Sequence, residues 1–267
     1  MVIERRAVKC FIIPLIIAAS GASAASAASA STPADAAAAP VIAAAVSDPT
    51  RPATDTARDA NRKPAETLSF AGVRPGDAVA DYAAGSGYFT RLFADVVGPQ
   101  GHVYSVVPSE LFVYPNIVKG IAEIQMWAAH HPNTTVVMAS ALQATRYPQK
   151  LDLFFIAQNY HDLHDNFMGP VDMAAFNAAV YAALKPGGTY LVLDHVAANG
   201  APADVTDTLH RIEPSTVRRE VEAAGFRFEG ESSALANPAD PHSAGVFDKS
   251  IRGRTDQFIY RFRKPDA

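Results

Sequence analysis

The sequence has a single cysteine, Cys10, in 267 residues. Cys10 lies in an N-terminal segment that we expect to be removed. The mature chain would then have no disulfide bond, no thiolate nucleophile and no cysteine ligand for a metal. The sequence also has no basic excess, since its formal net charge at pH 7 is −4. An acidic balance argues against nucleic acid as the general partner.

The N-terminus has the order of features that is typical of a secretory signal. Arg5, Arg6 and Lys9 precede an apolar run at residues 10–19, and small residues with Ala-x-Ala spacing follow. A run of roughly ten apolar residues is too short to span a bilayer core. We therefore predict a signal peptide at 1–24, cleaved between residues 24 and 30, no stable membrane span after cleavage, and a periplasmic or secreted location. The alternative is an uncleaved N-terminal anchor.

The next segment, residues 25–50, is rich in alanine, serine, proline and threonine, with hardly any charge and no aromatic residue. This composition predicts a flexible linker. A folded domain is predicted over residues 51–267, where strand-like and helix-like pieces alternate.

The alternation within the predicted domain indicates an α/β fold. Between the strands, apolar residues repeat at helical spacing, as Phe89, Leu92 and Phe93 do. The seven predicted strands cover residues 78–82, 102–107, 134–138, 151–157, 189–193, 226–231 and 257–263. Five strand-then-helix units followed by two strands predict a Rossmann-like fold, with a mostly parallel seven-stranded sheet and a C-terminal antiparallel hairpin. Right-handed crossovers place helices on both faces.

A glycine-containing turn follows the first predicted strand. The strand carries Asp81 and then breaks into Ala83-Ala84-Gly85-Ser86-Gly87 before a helix begins. Glycines at such a turn let the backbone approach a ligand closely, and the helix N-terminus offers free N–H groups. A plain strand–helix turn is the alternative interpretation, but the position after the first strand of an α/β series favours ligand binding.

The turn resembles the acidic-x-Gly-x-Gly-x-Gly motif of class I S-adenosylmethionine-dependent methyltransferases, with Ala83 in place of the first glycine. GPQGHVYSV (98–106), LKPGGTYLVLD (184–194) and VEAAGF (221–226) resemble other segments of that family. More narrowly, three segments resemble a little-characterised group of bacterial predicted methyltransferases with an export signal: NYHD (159–162), DPHSAGVFD (240–248) and RGRTDQFIYRFRKP (252–265). The resemblance covers residues 50 to 266.

The resemblance implies that S-adenosylmethionine is the cofactor and that the glycine turn binds its methionine part. Gly85 and Gly87 would pass this part of the cofactor, between the flanking residues Ala83 and Tyr88. Asp81 would bond loop N–H groups or the cofactor's ammonium.

The rest of the implied cofactor site departs from the family pattern. Val107 stands where an acid usually grips the ribose hydroxyls, and Glu110 is expected to substitute if the loop folds back. Ser140 stands where an aspartate often meets the adenine amino group, and its hydroxyl can accept that hydrogen bond. Asn159 is expected to bond the acceptor or the cofactor's ammonium.

Polar residues follow the fourth strand, where a doubly wound sheet binds its ligands. We predict that His161 acts as a general base and that Asp162 orients it. A helix N-cap with solvated acids is the alternative. His161 and His164 also have the spacing of a metal-binding pair, with Asp162, Asp165 or Asp194-His195 as candidate further ligands, although we assign no resident metal. His195, after the fifth strand, either lines the pocket or is a structural histidine.

Two charged segments are expected near the site. The long connection from residue 235 to 256 contains Arg252, Arg254 and Asp256, which either close over the site and hold an acceptor carboxylate or pair with one another. The N-terminal stretch from Arg51 to Arg62 is expected to be a solvated helix, with a cover over the cofactor as the alternative.

We therefore predict methyl transfer from S-adenosylmethionine to a small-molecule acceptor. The predicted export conflicts with this function, because the cofactor is made in the cytosol. A non-catalytic periplasmic binding module on the same fold is one alternative. A metal-assisted enzyme that uses the pair His161 and His164 is another.

Overall fold

The computed structural model describes residues 33–169 and 171–266, so the predicted signal peptide at 1–24 lies outside the described residues. The helices are α1 Pro33–Ser47, α2 Ala53–Thr56, α3 Asp59–Arg62, α4 Pro64–Ala71, α5 Tyr88–Val97, α6 Pro115–Ala128, α7 Met173–Ala183, α8 Val205–Leu209 and α9 Pro214–Ala223. The strands are β1 Ala78–Tyr82, β2 His102–Pro108, β3 Thr134–Ala139, β4 Leu151–Ala157, β5 Leu184–His195, β6 Arg227–Ser232 and β7 Gln257–Arg263. Over these two ranges, no helix is both long enough and apolar enough to cross a membrane.

In the described part of the chain the strands form one seven-stranded sheet in the order β3-β2-β1-β4-β5-β7-β6. Strands β1 to β5 pair in parallel, and β7 is antiparallel to both β5 and β6. The predicted sheet and its C-terminal antiparallel pair are confirmed. Strand order reverses between β1 and β4, so the loops after these two strands diverge and leave a crevice at the carboxyl edge.

The sheet separates two hydrophobic cores, and β4 contributes to both. Phe154 and Ile156 lie in one core, whereas Leu153 and Phe155 lie in the other. All four are at most 1% exposed. This alternation follows from the two-residue side-chain period of a strand, and it explains why β4 is an almost continuous apolar run. The central strands that carry the crevice are therefore rigidly packed on both faces.

The segment predicted to be a flexible linker differs from the structure over residues 33–47, which form helix α1. Ala38, Ile42 and Ala45 are at most 5% exposed and belong to one of the two cores, and α1 contacts α4 and α5. Alanine has the highest helix propensity, and these three residues recur at the spacing of one helix face. An alanine-rich composition therefore supports a packed helix here.

The charged N-terminal segment is not the solvated helix that the sequence predicted. Asp55 is 2% exposed and forms an ion pair with Arg91 of α5, with Oδ2 lying 2.6 Å from Nη2. Arg51 is also buried and pairs with Asp59 at 2.7 Å. Asp59 in turn accepts a hydrogen bond from the hydroxyl of Tyr88, at 2.6 Å. These contacts hold α2 and α3 against the start of α5, next to the glycine turn.

Candidate active site at the carboxyl ends of β1 and β4

The glycine turn after β1 uses a backbone conformation that favours glycine. Gly85 and Gly87 have φ of 57° and 85°, and Ala83 has φ of 59°. A Cβ on Gly87 would collide with the side chain of Ile124 on α6, so this position has no room for a larger residue. Ala83 takes the same left-handed region with a Cβ attached, which costs roughly 1–2 kcal/mol. Strain of this kind concentrates at ligand-binding sites.

Asp81 lies at the base of this turn and is 3% exposed. Its Oδ2 accepts a hydrogen bond of 2.6 Å from the hydroxyl of Thr90, which lies 3.0 Å from the hydroxyl of Ser105. The predicted bonds to loop N–H groups are therefore replaced by a bond to Thr90. Burial raises the pKa of Asp81 to about 7, against the lowering effects of the Thr90 bond and of Arg62 and Arg91.

A cavity of about 140 Å³ lies against the glycine turn. Five of the residues that we predicted to bind cofactor line it, namely Asp81, Ala83, Gly85, Tyr88 and Asn159. The structure thus brings together residues from the ends of β1 and β4, as the sequence predicted.

Arg62 of α3 also lines this cavity, and sequence analysis gave it no specific role. Its Nη2 donates to Oε1 of Gln158 at 3.1 Å, and its guanidinium lies 4.7 Å from the centre of the Tyr88 ring. No carboxylate of the described residues forms an ion pair with it. Burial lowers the pKa of Arg62 to about 10. The cavity therefore contains a cation that forms no ion pair within residues 33–169 and 171–266.

The remaining predicted cofactor residues lie outside the lining of this cavity. Glu110 follows β2 in a short 3-10 turn that folds back toward the end of β3. Its carboxylate oxygens accept a hydrogen bond from the backbone N–H of Ala141, at 3.0 and 3.1 Å. The structure thus places Glu110 beside Ser140 at the carboxyl ends of β2 and β3. The prediction that Glu110 substitutes for the ribose-binding acid stays a prediction.

A second cavity, of about 580 Å³, adjoins the first. The two share four lining residues: Leu111, Ile117, Gln158 and Asn159. The larger cavity is also lined by residues that follow β4 and β5, by His210 after α8, and by residues of the connection before β7: His161, Asp162, His195, His210, Val246, Phe247 and Arg252.

His161 occupies the floor of the larger cavity and is 3% exposed. Its ring Nδ1 and its backbone N–H each donate to a different oxygen of Asp194, both at 2.8 Å. Its Nε2 lies 3.3 Å from Oδ1 of Asp162. Asp194, at the end of β5, therefore orients the ring, a role that the sequence analysis had assigned to Asp162.

The two carboxylates determine the charge of this histidine. Burial alone would lower the pKa of His161, but Asp194 and Asp162 raise it to about 10. The pKa of Asp162 lies below its usual range, because bonds to His161 and His210 outweigh its burial. The N-cap interpretation of Asp162 is not supported, because its Oδ2 accepts from the side chain of Asn159 instead, at 2.5 Å. Both shifts favour the pair of protonated His161 and ionised Asp162 over the neutral pair.

His164 does not join this cluster. Its Nε2 lies 3.2 Å from Glu220 of α9, which also accepts a hydrogen bond of 2.9 Å from the hydroxyl of Tyr160. His210, after α8, takes its place, with Nδ1 lying 3.8 Å from Oδ1 of Asp162. No spacing in the sequence links positions 162 and 210, because the tertiary fold alone brings them together.

The connection from β6 to β7 covers the larger cavity. The buried ion pair that holds it is not among the pairs that the sequence analysis considered. Arg211 and Asp240, both with fully buried side chains, pair at 2.9 Å. Arg254 donates to the carbonyl of Ser250, and Asp256 bonds His242 at 2.9 Å. The expected pairing of Arg252, Arg254 and Asp256 with one another is therefore wrong. Arg252 lines the cavity instead.

Comparison with known proteins identifies the fold. No family model matches the chain. A chain of the Haloferax volcanii complex between the Trm112 methyltransferase activator and a methyltransferase aligns with a TM-score of 0.54 and 14% identity, over 84% of this chain and 97% of that one. An arsenic(III) S-adenosylmethionine methyltransferase of Chlamydomonas reinhardtii aligns with a TM-score of 0.51 and 18% identity, over 85% and 74% of the two chains. The fold is that of the class I methyltransferases.

A curated protein matches a short stretch of the chain. It is a ubiquinone/menaquinone biosynthesis C-methyltransferase of Ectopseudomonas mendocina, 54% identical over 37 residues, which is 14% of each chain. Such a match and structural identities below 20% leave the reaction and the substrate to be inferred from the site itself.

Proposed function

We propose that this protein transfers a methyl group from S-adenosylmethionine to a small-molecule acceptor. The observation that carries the proposal is the arrangement of the two cavities. One lies against a strained glycine turn at the switch point of the sheet, and the other opens beside it through four shared residues. A methyl donor in the first would face an acceptor in the second.

The smaller cavity suits the methionine part of the cofactor. S-adenosylmethionine carries an ammonium and a carboxylate on that part, and the cavity offers Asp81 and Arg62. We assign the ammonium to Asp81 and the carboxylate to Arg62, whose guanidinium forms no ion pair with a carboxylate of the described part of the chain. Because about 140 Å³ is too small for the whole cofactor, we place the adenosine toward Glu110 and Ser140.

The larger cavity would hold the acceptor with its nucleophilic atom in line with the sulfonium. The methyl carbon forms a bond to the acceptor as its bond to sulfur breaks, and the sulfur keeps the electron pair. Positioning supplies most of the catalysis of such a step. The raised pKa of His161 means that it carries its proton at neutral pH, so we do not assign it the general-base role, and the lowered pKa of Asp162 makes that carboxylate a hydrogen-bond acceptor rather than a base. We propose that Asp162 accepts a hydrogen bond from the acceptor and that His161 stabilises its charge.

A calorimetric titration with S-adenosylmethionine tests the proposal. At pH 8, where Asp81 is ionised, we expect one cofactor per chain. Asp81→Asn should weaken binding by about 10- to 100-fold, since hydrogen bonds to charged groups contribute roughly 1.5–3 kcal/mol. The matched control is Asp77→Asn at the other end of β1, where Asp77 caps the backbone N–H of Arg74 and no effect on affinity is expected. Absence of binding by a folded sample would refute the proposal.

A further inference from the structure

Three potential metal ligands converge on the floor of the larger cavity. Nε2 of His161, a carboxylate oxygen of Asp162 and a ring nitrogen of His210 all lie within 4.8 Å of one another. The separations are 3.3 Å from His161 to Asp162 and 3.8 Å from His210 to Asp162. Zn²⁺ bonds of about 2.0–2.2 Å in tetrahedral geometry place neighbouring ligand atoms roughly 3.3 Å apart. The cluster is therefore close to the size that such an ion requires.

Two of these ligands are held by further hydrogen bonds of the kind that surround metal sites. Nδ1 of His161 donates to Asp194, which leaves Nε2 as the nitrogen that faces the cluster. The second oxygen of Asp162 accepts from Asn159. Ligating histidines typically donate their other N–H to a carboxylate, and ligating carboxylates are themselves hydrogen-bonded. His161 and Asp162 are thus already oriented without an ion.

Neighbouring residues add a buried acidic group, Asp165, and hold the third ligand, His210, in place. Asp165 is 1% exposed, and neither of its oxygens has a hydrogen-bond partner of normal geometry among the described residues. His210 has a left-handed φ of 53°, and its ring packs 5.0 Å from that of Phe247. The Asp165 carboxylate interacts electrostatically with His161, so it adds a buried acidic group next to the cluster.

We infer that His161, Asp162 and His210 bind a divalent transition-metal ion, for which Zn²⁺ is the best match to this ligand set. Two imidazoles and one carboxylate suit Zn²⁺ and its first-row neighbours. Three protein ligands leave a fourth position open, and the cluster lies in the wall of the larger cavity. The ion takes the place of the proton on Nε2 of His161. This ligand set differs from the pair His161 and His164, since His164 lies against Glu220.

With the ion bound, Asp162 is a ligand, so the open position of the ion takes over the acceptor contact that the metal-free site gives to Asp162. A metal in the acceptor cavity binds an oxygen, nitrogen or sulfur atom of the acceptor and favours its deprotonated, nucleophilic form. This role depends on the proposed methyl transfer. Metal binding itself does not, because it is measured without S-adenosylmethionine.

The test is calorimetric titration of the untagged, chelator-treated full chain with Zn²⁺, paired with the absorption spectrum of the Co²⁺-loaded protein. We expect one Zn²⁺ per chain, and for Co²⁺ the intense visible bands of a four-coordinate site. His210→Asn should weaken Zn²⁺ binding at least 100-fold. Asn159→Ala, which leaves all three ligands in place but removes the hydrogen bond to Asp162, should weaken it by about 10-fold. The control His164→Asn should bind as the wild type does. Circular dichroism checks that each variant is folded.

Three results would overturn the inference: no stoichiometric Zn²⁺ binding at about 100 µM, wild-type binding by both His210→Asn and Asn159→Ala, or an equal loss in His164→Asn. If His210→Asn does not fold, Asn159→Ala and the Co²⁺ spectrum decide the question. Binding of S-adenosylmethionine is measured separately on the metal-free chain. Failure of the metal site and failure of the proposed function are therefore distinguishable.

Discussion

The buried ion pair of Arg211 and Asp240 should be a main support of the connection that covers the larger cavity. The Asp240 carboxylate accepts from Arg211 and also from the backbone N–H groups of His242 and Asp256, at 3.0 and 2.7 Å. Arg211 in turn donates to the carbonyls of Val196 and Ala244. One pair thus links the residue after β5 to the interior and the C-terminal end of the connection.

Asp240→Asn keeps the shape of the side chain and removes its charge. Arg211 would then be a buried cation without an anion, and one amide N–H group would face the backbone N–H of His242 or Asp256. Breaking a buried ion pair from one side costs about 3–5 kcal/mol. For a domain of this size, each kcal/mol shifts Tm by roughly 2–4 °C. The expected fall in Tm is therefore roughly 6–20 °C.

Differential scanning calorimetry measures this change directly. The matched control is Asp248→Asn on the same connection, where the carboxylate is exposed and bonds Ser250. A surface change of this kind should move Tm by no more than about 2 °C. Equal Tm values for Asp240→Asn and Asp248→Asn would refute the structural role of the buried pair.

Three further predictions concern the glycine turn and its cavity. Ala83→Gly should stabilise the protein by about 0.5–1 kcal/mol in urea denaturation, because relief of the left-handed strain exceeds the added chain entropy; a loss of stability would contradict the strain. Affinity for S-adenosylmethionine should rise up to tenfold per pH unit and level off above pH 7, because the raised pKa of Asp81 keeps this carboxyl protonated at lower pH. The charges that face Asp81 are those of Arg62 and Arg91. A flat profile between pH 5.5 and 8 would argue against the assigned ammonium site. Arg62→Gln should weaken binding at least about tenfold, and unchanged affinity would remove Arg62 from the carboxylate site.

Much of the fold could be predicted from the sequence because its signals are local. Strand β4 is an apolar run of seven residues between polar segments, and its predicted bounds, Leu151–Ala157, are those of the structure. The apolar spacing of Phe89, Leu92 and Phe93 likewise predicts α5. Helix α1 was missed because its alanine-rich composition is shared by flexible linkers and packed helices. Only the packing of Ile42 and its neighbours against α4 and α5 distinguishes a packed helix from a flexible linker here.

The site could be predicted only where strand topology determines which residues meet. Asp81 and Asn159 lie at strand ends whose meeting point follows from parallel topology, so the sequence could place them together. Arg62 and His210 reach the site through tertiary contacts that no motif or period encodes, whereas Asp194 lies at the end of β5 beside β4, and only its bond to His161 was missed. The charge of His161 also depends on two acids whose distances only the folded chain sets.

The central claim is that S-adenosylmethionine binds at the glycine turn and faces the larger cavity. A crystal structure of the complex with S-adenosylhomocysteine, the demethylated cofactor, tests it most directly. The account predicts the ligand's ammonium within hydrogen-bond distance of Asp81, its carboxylate against Arg62, and its sulfur at the opening beside Asn159. A ligand bound elsewhere, or one whose sulfur is separated from the larger cavity by Gln158 and Leu111, would contradict it.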